Sequence, residues 1–149
     1  MDSSFPVILY YKYVQIAGPE RFAAEHKWLC ASLELKGRVI VAAEGINGTL
    51  AGSRESIQSY IEAMHSDARF ADMEFKLSDG GPDTFPRLSV KVRPEIVTLA
   101  AGVPLQADLD NHLSPTEWKQ MLAEDPDVVL VDVRNRYESA AGQFEGALA

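Results

Sequence analysis

The chain has 149 residues, 46% hydrophobic and 24% charged, which excludes a disordered chain and is enough to bury a core. Its single cysteine, Cys30, excludes a disulfide framework and an all-cysteine metal site, and predicts a reducing, cytoplasmic setting. No apolar run approaches the roughly 20 residues of a membrane span, and the polar start Met1-Asp2-Ser3-Ser4 is not that of a secretory signal.

Phe5 to Tyr13, rich in aromatic and β-branched residues, predicts a buried strand. Pro19 to Leu35 predicts a helix: Phe22, His26, Leu29 and Leu33 recur at helical spacing, with Ala23 and Cys30 beside them. Arg38 to Glu44 predicts a second strand. Asn47-Gly48 predicts a tight turn, because both residues tolerate positive φ, and Thr49-Leu50-Ala51 a returning third strand. Ser53 is placed to cap a second helix with Ile57, Tyr60, Ile61 and Met64 as its apolar stripe. Met73 to Leu77 predicts a fourth strand. This β-α-β-β-α-β order predicts an α+β, ferredoxin-like (acylphosphatase-like) sandwich, a sheet with two helices on one face.

Asp79 to Asp83 reads as a loop, and Arg87 to Arg93 alternates as a further strand, with Leu88, Val90 and Val92 facing one way. The predicted organisation is a first domain over 1–98, a connector over 99–113, and the opening of a second domain over 114–149. In that last part Ser114-Pro115-Thr116-Glu117 is a capping box. Trp118, Met121 and Leu122 form the helix's apolar stripe, and Asp125-Pro126-Asp127 stops it. Val128 to Val133 predicts a parallel strand covered on both faces. One helix and one such strand do not complete a domain, so the second domain is expected to be only partly present.

Charge is unevenly placed. Up to Thr98 there are 11 basic and 13 acidic residues, a net of −2; from Leu99 onward there are 3 and 9, a net of −6. The first part is therefore free to carry a basic face despite the overall −8. Arg87, Lys91 and Arg93 on one side of a strand, with Lys76, are the anion-binding candidates: either a solvated edge or a salt-dependent contact to phosphates. The motif Glu44-Gly45-Ile46-Asn47-Gly48-Thr49 reads either as a hairpin or as a substrate contact using Glu44 and Asn47.

Other chemistry is thin. His65, Asp67 and His112 supply the residue types of a facial iron triad, but positions two apart on a helix point to different sides, so no metal site is expected. Cys30 on the apolar side of its helix is expected to pack as a small hydrophobe. No Ser-His-Asp set, P-loop or dinucleotide fingerprint occurs. Ala17-Gly18-Pro19 lacks the arginine an acylphosphatase would use there. Asp132 and Arg134, closing the apolar run, read either as a pair that locks local structure or as the frame of a site at the carboxyl end of a parallel sheet.

Val131-Asp132-Val133-Arg134, Tyr137-Glu138 and Gly142-Gln143-Phe144-Glu145-Gly146-Ala147 resemble the opening of a rhodanese domain, with Gln143 where the family usually has His. Together with Tyr11-Lys12-Tyr13, Glu44 to Gly52, and Lys91 to Val97, they resemble the rhodanese-containing bacterial tRNA uridine hydroxylases over nearly the whole chain. The resemblance implies a cytoplasmic oxidoreductase that uses molecular oxygen to hydroxylate the wobble uridine of tRNA. It also implies a catalytic cysteine in a rhodanese loop beyond Ala149, not matched by Cys30, so that this chain alone is expected to be inactive. The oxygen-activating cofactor is unknown. Under this reading tRNA is the partner, with Lys76, Arg87, Lys91, Arg93, Glu44 and Asn47 as substrate-binding candidates. The alternatives are a non-catalytic protein-interaction module, or a sulfurtransferase activity in the full-length protein.

Overall fold

The computed structural model describes residues 5–97 and 113–148. The chain divides into two compact units, Met1–Ala107 and Asp108–Ala149. The connector expected over 99–113 lies outside the described residues except for Leu113, as does His112.

The first unit runs β1 (Pro6–Tyr13), α1 (Pro19–Ser32), β2 (Lys36–Ala42), β3 (Gly45–Ala51), α2 (Arg54–His65), β4 (Lys76–Asp79) and β5 (Leu88–Val92). The sheet order is β4-β1-β3-β2-β5. The first four strands are antiparallel neighbours in ferredoxin-like order. The fifth is an addition: residues 80–87 carry the chain to the opposite edge, where β5 pairs parallel to β2. Pro19 starts α1, and Ser53 caps α2 by accepting from Ser56 N. Ala23, His26 and Cys30 of α1 and Ile57, Tyr60 and Met64 of α2 are buried in a core with Ile8, Tyr10, Val39, Val41, Ile46 and Leu50 of the sheet.

Three expectations need correction. Asn47-Gly48 is not a turn; both lie inside β3, and the chain turns at Ala43-Glu44. Gly48 is there for close approach: it pairs with Tyr10, and a Cβ on it would stand 2.3 Å from the Tyr10 ring. Gly45 next to the turn is similarly tight, with a Cβ falling 2.1 Å from Lys12 O. The fourth strand begins at Lys76, not Met73, because the Met73 carbonyl is bonded to His65 Nε2 (2.9 Å) and Met73 itself is buried in the core. The first strand is not buried on both faces: Leu9 and Tyr11 are 43% and 53% exposed.

The second unit contains α3 (Pro115–Glu124) and α4 (Arg136–Ala141). The capping box is formed: Ser114 Oγ accepts from Glu117 N, and Glu117 Oε2 accepts from Ser114 N at 2.8 Å. Val128 to Val133 does not form the expected buried strand. Its ladder is one parallel bridge, Val131 to Leu148, and Val133 is 91% exposed. An apolar strand needs neighbours on both sides, and the described residues of this unit provide one.

Candidate nucleic-acid interface

Side chains alternate across a sheet, so register sorts the strand residues of the first unit into two faces. One face carries Ile8, Tyr10, Val39, Val41, Ile46 and Leu50 under the helices. The other is open. Across it one transverse row reads Lys76, Leu9, Thr49, Arg38, Ser89, and the next reads Tyr11, Asn47, Ile40, Lys91. Lys36 lies one step further along β2, opposite Ala51. Arg87 and Arg93 flank β5 in the same alternation. No acidic residue occupies an open-face position within the five strands. Lys36, Arg38, Lys76, Arg87 and Lys91 are exposed and carry no ion pair among the described residues.

The four cations singled out from sequence therefore share a face but not a spot. Arg87, Lys91 and Arg93 line the β5 edge, whereas Lys76 is on the opposite edge strand, three strand spacings (roughly 14 Å) from Arg38. Lys36 and Arg38 were missed, although their alternation with Gly37, Val39 and Val41 is visible in the sequence. Tyr11 was missed too, because a continuous apolar run hides which side each residue takes. Its ring meets that of Tyr13 edge-on, centroids 6.4 Å apart.

Glu44 and Asn47 have local partners. Glu44 Oε1 accepts from Ile96 N at 2.8 Å, and Asn47 Nδ2 donates to Ile96 O at 3.4 Å. Both backbone groups of Ile96, which is 3% exposed, are thus held by the Glu44–Asn47 motif. That motif and the Glu95-Ile96-Val97 segment form one structural clasp. At this end of the face burial, then Glu44, Tyr11 and Glu95, push the Tyr13 hydroxyl above its ordinary pKa. The Tyr13 end is therefore the acidic end, and Lys91, Arg38, Lys36 and Lys76 lie away from it.

Beneath the opposite face the Tyr10 and Tyr60 hydroxyls are hydrogen-bonded to each other, and His26 Nε2 is 2.9 Å from Tyr60 Oη. Burial holds His26 down at about 4, so its ring is neutral at pH 7, and pushes the fully buried Cys30 thiol up to about 12. A thiol so placed is neither ionised nor accessible, so Cys30 is a core residue. His65 is bonded to Met73 O, and Asp67 forms a two-pronged pair with Arg69 (2.6 and 3.0 Å). No group of three or more His, Cys, Asp or Glu among the described residues is placed to hold a metal ion.

In the second unit Arg134 forks onto Asp132 (2.7 and 3.0 Å) and reaches Gly142 O at 2.6 Å. The guanidinium holds the Asp132 carboxyl down at about 2. The pair ties the residues after Val131 to the end of α4.

Residues 5–96 match the model of the UPF0176 acylphosphatase-like domain. The chain belongs to that family. A UPF0176 relative from Staphylococcus haemolyticus, named tRNA uridine(34) hydroxylase, is 48% identical over 97% of this chain and 45% of its own length. One of the same name from Aster yellows witches'-broom phytoplasma is 46% identical over 99% of this chain and 48% of its own. The chain thus spans about half the length of these curated relatives. Among solved structures, a bacterial light-regulated adenylyl cyclase matches with a TM-score of 0.50 at 13% identity, covering 59% of this chain and 27% of that one. That likeness concerns the fold of this UPF0176 domain alone.

Proposed function

We propose that this chain is the N-terminal portion of a cytoplasmic tRNA uridine hydroxylase, which uses molecular oxygen to hydroxylate the wobble uridine, and that its first unit holds the tRNA. The names of the UPF0176 relatives support the reaction. The observation that carries the RNA-holding role is the open sheet face, with exposed cations and no acid at its strand positions, in a chain of net charge −8. Such segregation against the overall charge suits a polyanion, whose counterions are released on binding.

Glu44 and Asn47 act as the clasp for Ile96 and shape the acidic end of the face, while the phosphates lie on Lys91, Arg38, Lys36 and Lys76. Asp132 and Arg134 serve the internal order of a rhodanese-like segment over 114–149. With its only thiol protonated in the core, the chain supplies no reactive sulfur. Hydroxylation is therefore assigned to the whole protein and not to this chain alone.

The test is tRNA binding across a salt series. Reversing Lys91 and Arg38 to Glu weakens binding and flattens its salt dependence, because two phosphate contacts are lost. Unchanged binding at every salt concentration removes the role. Nucleoside mass spectrometry tests the reaction: a one-oxygen gain on wobble uridine is expected with the full-length protein and not with this chain.

A further inference from the structure

The open face is more than a charged surface. Between its cations lies an apolar and aromatic stretch: Tyr11 and Leu9 are successive open-face residues of β1, the second strand of five, and Ile40 of β2 lies in the transverse row of Tyr11, across the polar Asn47 of the central strand β3. Cations stand on both sides, Lys76 beyond Leu9, and Arg38 and Lys91 beyond Asn47 and Thr49. A duplex presents phosphates and buries its base faces, so it has no use for a half-exposed ring set among them. An unpaired strand does: base faces stack on aromatic rings while the phosphates reach outward to cations. Tyr11 is also braced, since the edge contact with Tyr13 restrains its ring. The acidic Glu44–Glu95 end closes the face on one side and directs a polyanion toward Arg38 and Lys36.

We propose that the open face binds unpaired nucleotides, with one base stacked on Tyr11 and the flanking phosphates on Arg38, Lys91 and Lys76. This inference rests on the tRNA reading and narrows it to a single-stranded loop. The acceptor and stem duplexes of the same tRNA would then make no use of this face. Arg93, next to the acidic end, contributes less than Arg38 or Lys91.

The experiment uses the 149-residue chain with three labelled RNAs: whole tRNA, an oligouridine of about 12 nucleotides and a blunt RNA duplex of the same length. The single strand is expected to bind about tenfold tighter than the duplex, and Tyr11→Ala to weaken it about tenfold without changing the salt slope. Tyr11→Phe keeps the affinity, because the ring and not the hydroxyl stacks. Equal binding of duplex and single strand, with tRNA binding indifferent to Tyr11→Ala, overturns the stacking inference and leaves a phosphate-only grip. Failure of all three RNAs to bind overturns the inference and the tRNA reading together. Self-association that Tyr11→Ala abolishes, in the absence of RNA binding, assigns the face to a protein surface and overturns both.

Discussion

Tyr10 and Tyr11 are consecutive residues of one strand with opposite fates. Tyr10 is buried over Gly48 with its hydroxyl bonded to Tyr60, while Tyr11 is half-exposed on a face lined with lysine and arginine. The difference is the parity of the strand. On the helix-covered face the demand is packing, and each polar atom must find an internal partner. On the open face Tyr11 is half-exposed and Lys36, Arg38, Lys76, Arg87 and Lys91 are exposed with no ion pair among the described residues, so packing does not account for them. Packing sets the helix-covered face, and the proposed RNA recognition falls on the other.

Substitutions test this division, in order of expected effect. Tyr10→Ala lowers stability by about 3–5 kcal/mol through a cavity and the loss of one of the two partners of the Tyr60 hydroxyl, while Tyr11→Ala changes it by about 0.5 kcal/mol or less. Comparable losses in denaturant melts of the two variants would break the two-face picture.

The buried histidine gives the next effect. His26 is held near 4 in the folded chain against about 6.5 unfolded, so the unfolded chain takes up the proton first as pH drops. Stability is fully present above pH 6.5 and falls between there and about pH 4, by on the order of 3 kcal/mol. Carboxylates such as Asp67 and Asp72, lowered by Arg69 and Lys12 respectively, add losses only at more acid pH. In urea melts across pH, His26→Phe flattens the upper window and leaves the lower one.

Gly48→Ala costs roughly 1–3 kcal/mol, since the new Cβ displaces the Tyr10 ring. Thermal melts that match the parent would show that Tyr10 has room to move. The smallest effects concern binding. Lys91→Glu and Arg38→Glu each reduce tRNA affinity several-fold, by about one phosphate contact in the salt slope. Lys27→Glu on α1 leaves it unchanged, and Arg93→Glu falls between. Equal effects from Lys27 and Lys91 in a salt-titrated anisotropy assay would mean that net charge, and not the face, governs binding.

Much of this was legible in the chain itself. The Phe22–Leu33 spacing and the Pro19 start place α1, Ser53 places α2, and the alternation of Leu88, Val90 and Val92 gives β5 its two sides. The cations of β5 followed from that same alternation. Lys36 and Arg38 are less legible, because an expected strand from Arg38 to Glu44 leaves out Lys36 and Gly37, with which β2 and its alternation begin. Glycine misled at Asn47-Gly48: the same residue type serves a turn or a close approach, and only the Tyr10 ring lying across Gly48 distinguishes them. The run Val128 to Val133 misled for a related reason, since strand propensity is realised only beside partner strands.

By itself the sequence determined the local elements, the β-α-β-β-α-β order and the uneven distribution of charge. These depend on nearest neighbours along the chain: periodicity, caps and composition. The tertiary structure decided which side of each strand meets the helices, that β5 joins the sheet beside β2, and that Glu44 and Asn47 hold Ile96. It also brought Lys36, Arg38, Lys76 and Lys91 onto one face with Tyr11. Those are pairings between residues up to some tens of positions apart, fixed by register and packing, and a pattern read along one strand carries no information about the strand beside it.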